Sequence, residues 1–449
     1  MRYLFFTMLA ALALACGKSS RAPASTTQEE PETQTPVVRP KTDFEYLGVY
    51  LWPSWSREIQ RDYDYWKACG YNTVSILIAG EIATEELLTT YHARMRDAQH
   101  AGFKVEIVVF SNMGPNGQGF DPRDVVLMQK RLKDIELIVT RMAAADVITL
   151  FAGDPGGTPV KLGEAGIDHF MDMVVTVKGI VERKAPKALY NVNTWAIAHW
   201  DDVHISPFTV EFWDKETSFS RKLLANAKWA ADIGMIYPMH NYYRSLAMNE
   251  YVKAGKAPEL FPVQQDVDAL KEKGVQRQWA WPYFLIDEVD DGYTGYLVGT
   301  HYTQSETRYI GDIARKARGL KLNGMIVNTS IDKNGIQTEA LNVYAMGRFS
   351  QDATLTAEKV IAEFAGFIAD SKTAPVLAKV LRFVENHSTW ESSIPATYRL
   401  QPFADVFPDA QAALEALATV QANAKPAFPL PFAPRGFLDR VKARLLAIK

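Results

Sequence analysis

A carboxylate held at the end of an apolar run is the first feature of this chain that could do chemistry. The run is DVITLFAGDPGG, Asp146 to Gly157. Val147 to Phe151 reads as a strand buried on both faces. It stops at Gly153-Asp154-Pro155-Gly156-Gly157, where proline fixes φ and the glycines accept angles that other residues take only at a cost. Asp154 is thereby left on a sharp turn. A second acidic group follows RQWAWPYFLI: Asp287, Glu288, Asp290 and Asp291. Two carboxyl groups across one cleft could flank a glycosidic bond, one protonating the leaving oxygen while the other attacks carbon or activates water. The best pair is Asp154 with Glu288 or Asp287. The plainer alternatives are that Asp154 only closes its own turn on backbone N–H groups, and that DEVDD is a solvated loop or an oxygen-ligand cation site.

Such a pair needs a scaffold that brings distant strand ends together. From Glu45 onward a unit of apolar strand, loop and amphipathic helix repeats. The expected strands are Tyr46 to Trp52, Asn72 to Ala79, Lys104 to Phe110, Val147 to Phe151, Ala188 to Trp195, Ile233 to Met239, Arg277 to Ile286 and Asn323 to Thr329. Helices are expected near Ser56 to Gly70, Thr84 to His100 and Glu164 to Arg183, with one more opened by Asp121-Pro122 as cap and first-turn proline. Eight such strands over about 300 residues predict an α/β fold, a (β/α)8 barrel whose active face lies at the carboxyl ends of the strands. An open, doubly wound sheet for a dinucleotide would want G-x-G-x-x-G after the first strand, where the chain has Leu51-Trp52-Pro53-Ser54-Trp55. Pro282 sits awkwardly within the seventh strand, because it cannot donate to a ladder; it marks a bulge, or the strand is only Tyr283 to Ile286.

The strand ends supply a consistent set of side chains. They are Trp52 and Trp55, Glu81, Ser111 and Asn112, Asp154, Asn193 and Trp195, His240 and Tyr242, the DEVDD cluster, and Asn328. Amides and carboxylates make paired hydrogen bonds to vicinal hydroxyls, and indoles and phenols stack on the apolar faces of sugars. The expected ligand is therefore a carbohydrate. His240 orients a carboxylate or is a satisfied loop histidine. The sequence contains no H-E-x-x-H, cysteine cluster, G-x-S-x-G or P-loop, so neither a metal nor a cofactor is expected. A net charge of -3 gives no reason to expect a nucleic-acid partner.

After Ile331 the pattern is helical. Helices are expected near Thr338 to Phe349, Thr356 to Ile368, Ala374 to Asn386, Asp409 to Val420 and Gly436 to Ala447, with a proline-rich strap, Lys425 to Gly436, before the last. The expected layout is a signal at 1–15, a tether at 16–42 rich in Ser, Thr, Pro, Glu and Gln, a barrel at 43–335 and a helical region at 336–449. The signal has Arg2 and a short apolar core, Leu4 to Leu14, too short to span a bilayer. Its end, Ala13-Leu14-Ala15-Cys16-Gly17, resembles the lipobox of bacterial lipoproteins, with Ala13 where leucine is usual. That resemblance implies lipidation of Cys16 and an envelope location, periplasmic or outer-surface, with the membrane as partner. Ordinary cleavage after Ala15 is the alternative. Cys69, the only other cysteine, reads as a small buried hydrophobe.

Asn342, Tyr344, Gly347, Arg348 and Asp352 fall on a pattern of the form N-x-Y-x-x-G-R-L-x-W-D-P, with Phe349, Gln351 and Ala353 departing from it. This stretch is similar to one just after the barrel in bacterial α-glucuronidases and related exo-acting glycosidases. The barrel likewise resembles the clan of glycosidases whose catalytic carboxylates follow strands four and seven. The resemblance implies a glycoside hydrolase of poly- or oligosaccharides. A carbohydrate-binding lipoprotein on a non-catalytic barrel and a metal-dependent hydrolase using DEVDD are the alternatives.

Overall fold

A computed structural model describes residues 42, 44–51, 60–78, 84–111, 123–152, 164–194, 210–239, 250–256, 261–282, 307–329, 340–387, 399–424, 430 and 433–448. Lys41–Lys449 forms one compact unit. Within it eight parallel strands close in sequence order into a barrel: β1 (Tyr46–Leu51), β2 (Thr73–Ile78), β3 (Lys104–Phe110), β4 (Val147–Phe151), β5 (Leu189–Asn193), β6 (Ile233–Pro238), β7 (Gln278–Trp281) and β8 (Gly324–Thr329). The helices between them, among the described residues, are α1 (Gln60–Ala68), α2 (Glu85–His100), α3 (Val125–Arg141), α4 (Glu164–Lys184), α5 (Val210–Ala225), α6 (Gln264–Lys271) and α7 (Thr307–Gly319). The barrel expected from the strand repeat is the fold observed.

One strand boundary and one helix boundary change. β7 ends at Trp281, directly before Pro282, instead of running from Arg277 to Ile286 or beginning at Tyr283. Proline has no N–H for the ladder, so the strand stops where donation stops. The third helix starts at Val125, not at Asp121-Pro122, because the Asp124 carboxylate accepts from Val126 N at 3.1 Å and Leu127 N at 3.0 Å.

The barrel's amino-terminal rim is closed by a repeated device. A polar residue just before one strand accepts the N–H of the first or second residue of the neighbouring strand. Asn72 Oδ1 takes Leu47 N at 3.0 Å, Asp146 Oδ2 takes Val105 N at 2.8 Å, and Asn323 Oδ1 takes Gln278 N at 3.0 Å. Donors that would otherwise be orphaned at strand starts are satisfied, which pins the register of each pair.

Apolar side chains form two layers. One lies between the sheet and the helices. The other fills the barrel with Tyr46, Leu77, Val108, Phe110, Val147, Phe151, Ile236, Trp279, Trp281 and Ile326. Near the amino-terminal end Tyr46 stacks on Trp279, with centroids 4.6 Å apart, and Lys104 Nζ lies 3.9 Å from the Tyr46 ring centre. Gly324 makes room for this column: a Cβ there would lie 2.4 Å from the Trp279 ring.

Among the described residues five helices follow the barrel: α8 (Ala340–Gln351), α9 (Ala357–Ile368), α10 (Ala374–Asn386), α11 (Ala410–Ala422) and α12 (Pro434–Ala447). The last begins at Pro434, so the proline-rich strap ends before Gly436. Helix α8 docks on α1. Tyr65 Oη donates to Ala340 O at 2.6 Å and Tyr71 Oη to Val343 O at 2.9 Å. Gly347 lies against the Cys69 carbonyl so closely that a Cβ would stand 2.1 Å from it. Cys69 is buried, and burial pushes its thiol far above the ordinary value, in keeping with a small hydrophobe. Among the described residues no helix is long and apolar enough to cross a membrane.

Candidate active site at the barrel mouth

Because all eight strands are parallel and the barrel is closed, their carboxyl ends share one rim. The residues chosen from the sequence follow those ends closely. Trp52 comes just after Leu51, Asn112 soon after Phe110, Asp154 just beyond Ala152, Trp195 just beyond Thr194, and His240 just beyond Met239. Trp52, Trp55, Glu81, Asn112, Asp154, Trp195, His240, Tyr242, Asp287 and Glu288 themselves lie outside the described residues, as does Cys16. Asn328 lies in β8, opposite Tyr50 in register. Asn193 is the last residue of β5, buried at 5% exposure.

The floor beneath the rim is described, and it is aromatic. Phe110, Phe151 and Trp281 end β3, β4 and β7 and point into the barrel. They meet edge to face: Phe110 to Phe151 at 5.2 Å and Phe151 to Trp281 at 5.3 Å between centroids. This seal was not anticipated from the sequence, although all three rings sit at strand ends. The ladder continues one residue past the strands. Ser111 N donates to Phe151 O at 2.9 Å, Ala152 N to Asn193 O at 3.0 Å, and Met239 N to Trp281 O at 3.0 Å. The Ser111 hydroxyl, wholly buried, donates to Ala152 O at 3.2 Å.

Below the floor is a polar layer that sequence reasoning missed. Glu106 of β3 is buried inside the barrel and accepts a hydrogen bond from Thr149 Oγ1 of β4. Burial raises its pKa, and the Thr149 and Ser75 hydroxyls offset part of the rise. Thr149 stands opposite Asn191 in register. Asn191 Oδ1 takes Arg277 Nε at 2.7 Å, and Arg277 also donates to Tyr190 O at 2.7 Å and Asp232 O at 2.8 Å. Glu106 precedes Phe110 by four positions, which is roughly 13 Å along a strand. Behind Val108 and the aromatic floor, it is screened from the mouth and serves the barrel core. The signal for it was available: Glu106 is the one charged letter inside VEIVVF, on the same parity as Val108 and Phe110.

One more buried charge supports the rim. Arg131 of α3 is 3% exposed and closes a fork on the last carbonyl of β3, with Nε at 3.0 Å and Nη2 at 2.5 Å from Phe110 O. Burial lowers its pKa to about 10. Among the described residues no group of three or more His, Cys, Asp or Glu side chains is arranged to hold a metal.

The post-barrel motif does mechanical work. Glu363 of α9 takes Arg348 Nε at 2.8 Å, Arg348 Nη2 at 3.2 Å and Tyr344 Oη at 3.0 Å, while Arg348 Nη1 reaches Gln351 Oε1 at 2.8 Å. With Gly347 against Cys69, these residues join α8 to α9 and to the barrel.

No family model and no curated protein matches the chain in sequence. The fold, in contrast, is shared with solved glycoside hydrolases. An O-GlcNAc hydrolase mutant from Thermobaculum terrenum aligns with TM-score 0.50 and 11% identity over 85% of this chain and 77% of its own. CpGH84D aligns with TM-score 0.52 and 11% identity, covering 89% of this chain and 64% of that one. BtGH115A, a family GH115 4-O-methyl-α-glucuronidase with specificity for decorated arabinogalactans, aligns with TM-score 0.53 and 10% identity over 91% of this chain. The chain spans only 54% of BtGH115A. The likeness to barrel glycosidases implied by the sequence is thus present at the level of fold.

Proposed function

We propose that the protein is a glycoside hydrolase that cleaves a poly- or oligosaccharide with two carboxylates at the barrel mouth. Asp154 is one, and Glu288 or Asp287 the other. The observation that carries this reading is the closed parallel barrel itself: Asp154 follows the end of β4 and the DEVDD cluster follows the end of β7. Groups leaving those strands share the rim where barrel enzymes keep their chemistry. The fold shared with glycoside hydrolases adds to it. The reaction needs one carboxyl group to protonate the leaving oxygen and one to stabilise or attack the anomeric carbon. Trp52, Trp55, Glu81, Asn112, Asn193, Trp195, His240, Tyr242 and Asn328 are the candidates to hold the sugar.

Turnover on a panel of polysaccharides and aryl glycosides tests the proposal. Asp154→Asn and Glu288→Gln should each lower kcat by about 10²–10⁴-fold with a smaller effect on binding. A carboxyl separation of about 5–5.5 Å would predict retention and about 6.5–9.5 Å inversion. Sugar binding without turnover, unchanged by Asp154→Asn, would instead identify a carbohydrate-binding module. We also propose that lipid on Cys16 anchors the protein in a bacterial envelope. Cys16→Ser should then release folded protein from the membrane fraction, and retention of the variant in membranes would refute the anchor.

A further inference from the structure

The rim between β3 and β4 is held more elaborately than ladder pairing requires. Three described contacts converge on the two chain segments that leave it. The Arg131 guanidinium grips Phe110 O with two N–H groups. Ser111 N donates to Phe151 O at 2.9 Å. Ser111 Oγ donates to Ala152 O at 3.2 Å, and Ala152 N is itself bonded to Asn193 O. A guanidinium that is 3% exposed is costly to bury, and its five donors favour paired geometry. Here it is spent on the carbonyl of Phe110, the residue before Ser111. The Ser111 hydroxyl in turn holds the carbonyl of the residue two places before Asp154. The helix, the end of β3 and the exit of β4 therefore form one hydrogen-bonded chain.

We infer that Ser111, backed by Arg131, is a positioning residue for Asp154, fixing Ala152, the last described residue before Gly153-Asp154-Pro155. This rests on the proposed catalytic use of Asp154. The physical ground is short leverage. Only Gly153 separates the tethered Ala152 from Asp154, so a shift of Ala152 has a single residue to cross. Small displacements of a reacting group are expensive, a misplacement of about 1 Å costing up to 10²-fold in rate.

The experiment compares wild type with Ser111→Ala, Ser111→Thr and Arg131→Lys. The readouts are kinetics on the aryl glycoside that wild type turns over best and hydrogen exchange of the peptide covering Phe151 to Gly157. Ser111→Ala should lower kcat by about 10- to 100-fold with KM within about twofold, because binding contacts elsewhere survive. It should also speed exchange in that peptide, while Ser111→Thr, which keeps the hydroxyl, restores both. Arg131→Lys should show a weaker form of the same pattern. Unchanged exchange in Ser111→Ala overturns the inference whatever the kinetics show. Normal kcat in Ser111→Ala beside a dead Asp154→Asn also overturns it, leaving the catalytic reading intact. An Asp154→Asn enzyme with normal turnover overturns the catalytic reading and removes the inference with it.

Discussion

Glu385 of α10 is one of the residues through which the post-barrel helices hold the barrel, and its removal should be severe. Its side chain is 1% exposed and that of Arg308 is 7% exposed. Glu385 Oε1 accepts Arg308 Nε at 2.9 Å and Arg308 N at 3.1 Å, and Oε2 accepts Thr307 N at 2.9 Å. One carboxylate thus pairs a buried guanidinium and caps the first turn of α7. Arg308 reaches on to Gln401 O at 2.9 Å and lies 5.0 Å from the Phe403 ring centre. Glu385→Ala removes the carboxylate that both pairs the Arg308 guanidinium and caps α7, a change worth about 3–5 kcal/mol. For a unit of about 400 residues the unfolding entropy is roughly 0.8 kcal/mol/K, so Tm should fall by about 4–6 °C. Replacing both partners with apolar residues, Arg308→Met with Glu385→Leu, removes the two buried charges together and should recover part of the loss, the carboxylate cap on Thr307 N and Arg308 N being gone in both variants. Calorimetry and urea unfolding on wild type, the single variant and the double variant would measure this. A single variant within about 1 kcal/mol of wild type, or a double variant no better than the single, would refute the reasoning.

Glu106 predicts a pH signature. Its pKa is raised by burial, so the native state holds its proton more tightly than the unfolded chain. Its contribution is present below the unfolded value near 4.3 and is lost as pH rises through the folded value. Glu106→Gln keeps the shape without the proton, and its advantage over wild type in urea midpoint should grow with pH. Parallel curves for the two proteins from pH 4 to 9 would count against a buried neutral acid. Gly347→Ala should cost about 1–3 kcal/mol through overpacking, since the new Cβ would stand 2.1 Å from the Cys69 carbonyl. Wild-type thermal stability in that variant would mean the α1–α8 joint has slack that this contact denies.

The eight strand runs were legible because each is apolar, short and bounded by turn residues. Their order and parallel sense followed from the helices between them, since a parallel pair needs a crossover. Strand and helix ends were less secure. Asp121-Pro122 carried a good cap-then-proline signal, yet Asp124 is the residue whose carboxylate meets the free N–H groups. Pro282 gave correct notice of trouble in β7, but only the ladder shows that the strand ends before it.

The sequence by itself determined that this chain builds alternating strands and helices, and that carboxylates follow the fourth and seventh strands. What lies inside the barrel was decided by tertiary structure. A strand buried on both faces has no polar alternation, so KVEIVVF singles out Glu106 as a lone charge and groups it with Val108 and Phe110, but does not say whether that face is turned to the barrel or to the helices. Closure sets that, by bringing Thr149 of β4 to Glu106 of β3, and Arg277, just before β7, to Asn191 of β5. The same holds for Ser111, Arg131 and the Asn342 to Arg348 motif. Their types are plain in the sequence, but their partners are Ala152, Phe110, Cys69 and Glu363. Gly347 meets Cys69 only because the post-barrel helices fold back on α1, a contact across hundreds of residues that no local pattern encodes.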